Sequence, residues 1–267
     1  MPVTPATGRS EDANLVPVDD QLTKVLLGRA CGEEITPGRL PALYPWPSER
    51  TWVRAMMVTG LDGAAVGPDA LSGSISGTAD GAVFDAVRTR CDVILAGAQT
   101  IRAERYQPVR AENYPADRAA EGLASAPVLV TVSRSLDLPW ELPLFTESTQ
   151  RPLVLTAGAH EPKALELARS HAEVVVLGGD RVAPAALVGE LVRRGHRRIV
   201  CEGGPTLLNE LIAADLVDEA DITLSPTFSG TGASPITAVL ERVRPFDLVQ
   251  LLESGGFLMG RYLRMDS

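Results

Sequence analysis

The sequence predicts an α/β domain of three layers, helix–sheet–helix, on a mixed, mostly parallel sheet. Three observations predict it. From residue 52 onward, short apolar runs alternate with segments of helical spacing, the pattern of strands joined by helical crossovers. The strand runs are β-branched and nearly continuous, as expected where both faces of a sheet are covered. The chain closes with two apolar runs joined by Ser254–Gly255–Gly256, which signals an antiparallel hairpin at one edge.

Element by element, residues 21–27 form a short apolar-periodic stretch that predicts a helix ending at Gly28. Four prolines in 37–47 require extended or turn-like chain there. Residues 1–47 therefore read as an N-terminal extension, partly disordered, ahead of a single domain over 48–267. The run 52–59 (WVRAMMVT) is a buried strand, and 60–77 is a loop with five glycines. A helix follows over 78–90, with Thr78 as its N-cap and Ala82, Val83, Ala86 and Val87 on its apolar face. Strands are predicted at 92–96, 127–132, 152–156, 173–177, 198–201 and 218–224. Helices are predicted at 162–170, 184–194 and from Pro205 to about 214. The polar segment 107–125 reads as a loose excursion, and 228–232 as a loop. The closing hairpin takes 246–253 and 257–264.

Composition narrows the function. With 267 residues, 45% hydrophobic and 22% charged, the chain has material for a sizeable core. A net charge of −9 disfavours binding to a phosphate backbone, so no nucleic-acid partner is expected. No apolar run reaches the roughly 18 residues of a membrane span, and the polar N-terminus lacks the apolar core of a signal peptide. Cys31, Cys91 and Cys201 form no C-x-x-C pair, and His160, His171 and His196 form no metal-binding pattern. A reducing cytoplasm and no metal are the expectations.

Ligands of open α/β sheets bind beyond the carboxyl ends of the strands. Four post-strand segments stand out. In Cys201–Glu202–Gly203–Gly204–Pro205–Thr206–Leu207, a strand ends in an acid, and two glycines precede a helix start able to hold a diphosphate. An ordinary tight turn would read the same way. Gly97–Ala98–Gln99–Thr100 repeats the strand–glycine–helix arrangement, with Thr100 a possible phosphate donor. Ser133–Arg134 at a strand end could read a phosphate monoester, which for a dinucleotide selects NADP over NAD; a solvated strand end is the plainer reading. Asp62, in Gly60–Leu61–Asp62–Gly63, is either a turn-forming residue or a site group.

These segments, in this order, resemble the reductase domain of bacterial riboflavin-biosynthesis deaminase–reductases, and most of all its stand-alone pyrimidine reductase homologues. The likeness covers residues 50–265 and adds the serine-rich loop Ser72–Gly73–Ser74–Ile75–Ser76–Gly77, Arg88 and Leu216–Val217–Asp218–Glu219; Glu202 to Leu207 is its most specific part. Two departures are visible: Gly60 stands where the family has serine, and 105–110 lacks the usual D-N/D-P-x-L-T. The zinc signature of the deaminase half is absent from the chain.

The resemblance implies a dihydrofolate-reductase-like fold and NADPH as cofactor. Val58, Thr59, Ser74, Gly97, Thr100, Glu104, Ser133, Arg134 and the run Gly203, Gly204, Pro205, Thr206, Leu207 would contact that cofactor. Ser72, Arg88, Arg110 and Glu202 would face the substrate, the two arginines suiting a ribose 5-phosphate. The implied reaction is hydride transfer to the ribose C1′ of 5-amino-6-(5-phosphoribosylamino)uracil, with Asp62 and Glu202 positioning the open-chain sugar and relaying a proton. Reduction of dihydrofolate or another small heterocycle is an alternative on the same fold, as is a non-catalytic NADPH-binding homologue. A homodimer is implied, with the apolar C-terminal strands as one possible contact.

Overall fold

A computed structural model describes residues 23–104, 106–237 and 240–265. Eleven strands form one sheet in the order β2-β1-β10-β11-β9-β3-β8-β4-β5-β6-β7. They are β1 (Thr23–Leu27), β2 (Glu34–Ile35), β3 (Trp52–Thr59), β4 (Val93–Gly97), β5 (Val128–Val132), β6 (Leu153–Thr156), β7 (Glu173–Val176), β8 (Arg198–Cys201), β9 (Glu219–Leu224), β10 (Phe246–Ser254) and β11 (Phe257–Arg264). Pairing is parallel from β9 through β7 and antiparallel from β9 through β2. The mixed, mostly parallel sheet and the C-terminal hairpin are thus as expected.

The helices are α1 (Thr78–Arg88), α2 (Ala98–Glu104), α3 (Pro143–Glu147), α4 (Pro162–His171), α5 (Pro184–Arg193) and α6 (Pro205–Ala213). Two apolar cores, one per face, account for the continuous hydrophobic strands. On one face Met56, Ile94, Leu129 and Val154 pack with Val83 and Val87 of α1. On the other, Val53, Leu95, Val130 and Leu155 pack with Leu187 and Leu191 of α5 and Leu207, Leu208 and Leu211 of α6. Cys91 and Cys201 are buried core residues.

Four local expectations are corrected. Residues 23–27 form a strand, not a helix, because Lys24 and Val25 pair in antiparallel register with Glu253 and Leu252; tertiary pairing overrides the local period. The extension also contributes Leu40 and Leu43, in a 3-10 turn over Pro37–Leu43, to the core beside α1. The part of this extension read as disordered falls within residues 1–22, which lie outside the described residues. Gly77, not Thr78, caps α1; a Cβ there would lie 2.7 Å from the Phe257 ring, which only glycine avoids. Segment 107–125 is tied down, not loose: Arg118 is 1% exposed and its guanidinium donates to the carbonyls of Thr89, Cys91 and Ala124.

Candidate active site

Strands β3, β4, β5 and β8 lie side by side and parallel, so the segments after Thr59, Gly97, Val132 and Cys201 emerge at one edge. Two clefts open there. The first, of about 790 Å³, lies between α1, the end of β3, Glu104, residues 106–109 and Glu202. The second, of about 430 Å³, lies between the starts of α2 and α6, the end of β5 and Arg181–Val182.

Two glycines make the wall between them thin. A Cβ on Gly97 would lie 3.2 Å from the Gly204 nitrogen, and one on Gly204 would lie 2.6 Å from Thr100 Oγ1. The Gly97 N–H donates to the Gly203 carbonyl at 2.8 Å, bringing the turn after β4 onto the turn after β8. The side chains these positions lack would push the two turns apart.

In the first cleft, α1 presents Asp80, Phe84, Asp85 and Arg88, at one helical spacing. Arg88 donates from Nε to Glu202 Oε1 and from Nη2 to Glu202 Oε2, both at 2.6 Å. Tyr106 Oη donates to Glu202 Oε2 at 2.8 Å. The Ser72 N–H donates to Glu104 at 2.8 Å, which fastens the serine-rich loop to the end of α2. Asp80 is 2% exposed. Ser76 Oγ donates to its Oδ2 at 2.6 Å, and the Thr223 hydroxyl lies beside the same carboxylate. Burial raises the Asp80 acid above the ordinary carboxylate range, against the hydrogen bonds from Ser76 and Thr223.

The charges of the two clefts differ in sign. Among the described residues, Asp80, Asp85, Glu104 and Glu202 line the first against one cation, Arg88. Arg134 and Arg181 line the second against Glu210. Arg181 is delivered by the loop after β7, whose Gly178 and Gly179 both hold positive φ, at 77° and 68°.

Of the residues expected at the site, Val58, Ser72, Arg88, Thr100, Glu104 and Glu202 line the first cleft. Gly97, Arg134, Gly204, Pro205, Thr206 and Leu207 line the second. Thr59, Asp62, Ser74, Arg110, Ser133 and Gly203 line neither. Asp62 accepts N–H bonds from Gly230 at 2.6 Å, Ser229 at 3.1 Å and Ala64 at 3.3 Å, so its carboxylate staples two loops together. These bonds, Gly230 foremost, hold its pKa below the usual carboxylate range. Ser74 Oγ sits on Asp69 at 2.8 Å. Arg110 is paired with Glu147. Ser133 is 1% exposed, its Oγ accepting the Leu136 N–H, so the strand end turns only Arg134 to the cleft.

The sequence reading missed Asp80, Tyr106 and Arg181. Counting back from Arg88 in steps of four reaches Asp80, so helical spacing alone could have found it. Tyr106 lies in the segment that departs from the family pattern, and Arg181 follows an edge strand; neither carries a local signal.

The model of the RibD C-terminal domain family matches residues 51–255. The chain is 30% identical over 187 residues to a 2,5-diamino-6-ribosylamino-4(3H)-pyrimidinone 5′-phosphate reductase of Archaeoglobus fulgidus, covering 70% of this chain and 85% of that protein. A protein of the same name from Methanothermobacter thermautotrophicus is 30% identical over 178 residues, covering 66% and 76%. Among solved structures, a pyrimidine reductase-like protein of Corynebacterium diphtheriae superposes with a TM-score of 0.76 at 23% identity, covering 87% of this chain and all of that one. RibD of Acinetobacter baumannii superposes with a TM-score of 0.63 at 20% identity, covering 81% and 58%. These structural likenesses speak to the fold. Among the described residues, no helix is long and apolar enough to cross a membrane.

Proposed function

The chain belongs to the RibD C-terminal domain family, and from that membership we propose that it reduces a phosphoribosylamino-pyrimidine of riboflavin biosynthesis with NADPH. It is an oxidoreductase of the riboflavin pathway. The observation that carries the reading is the pair of clefts of opposite charge, adjoining across the glycine wall of Gly97 and Gly204.

NADPH fits the second cleft. Its phosphates would take the start of α6 at Thr206 and Leu207 and the guanidinium groups of Arg134 and Arg181. Bound NADPH supplies a hydride. The first cleft holds the acceptor. Glu202, fixed by Arg88 and Tyr106, accepts from a hydroxyl or amine of the substrate at the strand end. Asp80, a carboxylate of the cleft lining held by Ser76, would accept from an amino group on the heterocycle. That acceptor favours an amino group at ring C2 over the C2 carbonyl of the uracil, whose oxygen it would repel. On this reading the ring is the 2,5-diamino-pyrimidinone named in the relatives. Asp62 serves through the loops it staples, not at the reacting atoms.

One observation favours a second reading, an unphosphorylated amino-heterocycle such as dihydrofolate. Among the described residues the first cleft has a single lining cation, Arg88, which Glu202 engages through two hydrogen bonds, and Arg110 is paired with Glu147 outside the lining. NADPH oxidation with each pyrimidine phosphate, with dihydrofolate, and with NADH as the control cofactor tests both. Oxidation driven by a pyrimidine phosphate supports the first reading, and oxidation driven by dihydrofolate alone moves the substrate to the second. NADPH binding without oxidation by any of them identifies a non-catalytic homologue.

Two further expectations complete the proposal. A homodimer would cover the half-buried apolar face of Ile222, Leu258 and Leu251 on β9, β11 and β10, and sedimentation velocity tests it. The free thiols of Cys31, Cys91 and Cys201 fit a cytoplasmic location.

A further inference from the structure

Glu202 follows β8 directly, with its side chain 1% exposed. A carboxylate offers about four acceptor positions, two on each oxygen. Among the described residues three are taken. Arg88 Nε holds one on Oε1, Arg88 Nη2 holds one on Oε2, and Tyr106 Oη holds the second on Oε2. Oε2 is therefore full and a single position remains, on Oε1. Without the phenol, Glu202 would face the cleft with two open positions on different oxygens, and a sugar bearing several hydroxyls could dock in more than one way.

The phenol is suited to hold that position. Its ring packs against the apolar core beside α1, which limits its movement. Burial first, then the Glu202 charge, raises its pKa well above the usual tyrosine range, so it stays a donor. Among the described residues, Asp85, Arg88, Tyr114, Cys91 and Cys201 are the other titratable groups around Tyr106 and Glu202, and of these Arg88 is the cation bonded to Glu202. Tyr106 also lies within 105–110, the stretch where the chain departs from its family's usual pattern.

We infer that Tyr106 is a positioning residue: by filling the last acceptor position on Oε2 it leaves Glu202 one acceptor, Oε1, and thereby sets the orientation in which the substrate's sugar enters. This rests on the reading of the first cleft as the substrate site. Glu202 then acts as an acceptor of fixed direction and not as a proton relay.

The test is a double-mutant cycle of Y106F and E202Q, with 2,5-diamino-6-ribosylamino-4(3H)-pyrimidinone 5′-phosphate and NADPH as substrates. Y106F is expected to raise the substrate KM about 10-fold, to leave the NADPH KM within about twofold, and to have no further effect once E202Q is present. Effects of the two substitutions that multiply, or an equal rise in the NADPH KM, would mean a packing role and overturn the inference. Y106M, which fills the space without a donor, replaces Y106F if that variant does not fold. Calorimetric titration of the pyrimidine phosphate without cofactor separates the two levels. Binding to the unmodified chain that is unweakened in Y106F overturns the role of Tyr106 alone, whereas no binding to the unmodified chain overturns the functional reading and the role with it.

Discussion

The two clefts share a wall of two glycines and are otherwise opposites. Among the described residues the first is lined by acids around one engaged arginine, and its polar groups are mostly fixed by one another: Glu202 by Arg88 and Tyr106, Glu104 by the Ser72 backbone, Asp80 by Ser76. The second is lined by two exposed arginines, glycines and a helix start. The difference is one of preorganisation. A rigid acidic site discriminates between heterocycles by where their donors point, because an unmatched buried acceptor is costly. A cationic rim with flexible side chains attracts an anion with less demand on its shape, and salt weakens it.

Substitutions can break this contrast, and their effects should fall in a definite order. The largest is expected at Asp80. Replacing it with Asn puts an N–H donor into the position of an acceptor, and kcat/KM for the diaminopyrimidinone phosphate should fall on the order of 100-fold. The NADPH KM should not move; steady-state kinetics in both substrates would show either. Next comes the double variant R134A/R181A. It should raise the NADPH KM about 30-fold at low salt while leaving the NADH KM unchanged, and the ratio should shrink at high salt. An equal loss for both cofactors would remove the 2′-phosphate from the second cleft.

Gly204→Ala attacks the wall itself. Its Cβ would meet Thr100 Oγ1 at 2.6 Å, so one turn must give way. A stability loss of about 1–3 kcal/mol by chemical denaturation is expected, with both KM values raised. The smallest effect belongs to Asp62→Asn. Asn keeps an acceptor for the loop amides, so kcat should stay within about threefold. A loss of several hundredfold there would return Asp62 to the chemistry.

The sheet, its mixed pairing and the closing hairpin were legible because each parallel strand is a short apolar run bounded by turn residues. The glycine-led turns at Gly97 and Gly204 were legible for the same local reason. What stayed hidden depends on chain that comes together only in the fold. Thr23–Leu27 reads as helical until β10 is beside it. Nothing near Asp62 in sequence announces that the loop at 229–230 comes to donate to its carboxylate. Arg88 looks like a free phosphate ligand, but Glu202, 114 residues away in sequence, takes it. Arg54, Glu219, Asp221 and Arg261 form a buried charged cluster under Trp52 that no composition or period announces. Sequence pattern reports which groups stand at the ends of strands; it does not report which of them are already bonded to one another.

The sheet's ends carry a consequence of their own. An eleven-stranded sheet would offer long open margins to any other exposed backbone, an invitation to aggregate. One margin here is β2, only two residues long, and the other is β7, of four residues. Glu173, at the start of β7, is clamped by Arg194 at 2.6 Å. With so little backbone free at either margin, a newly made chain that has completed this sheet gives a neighbouring chain almost nothing to extend.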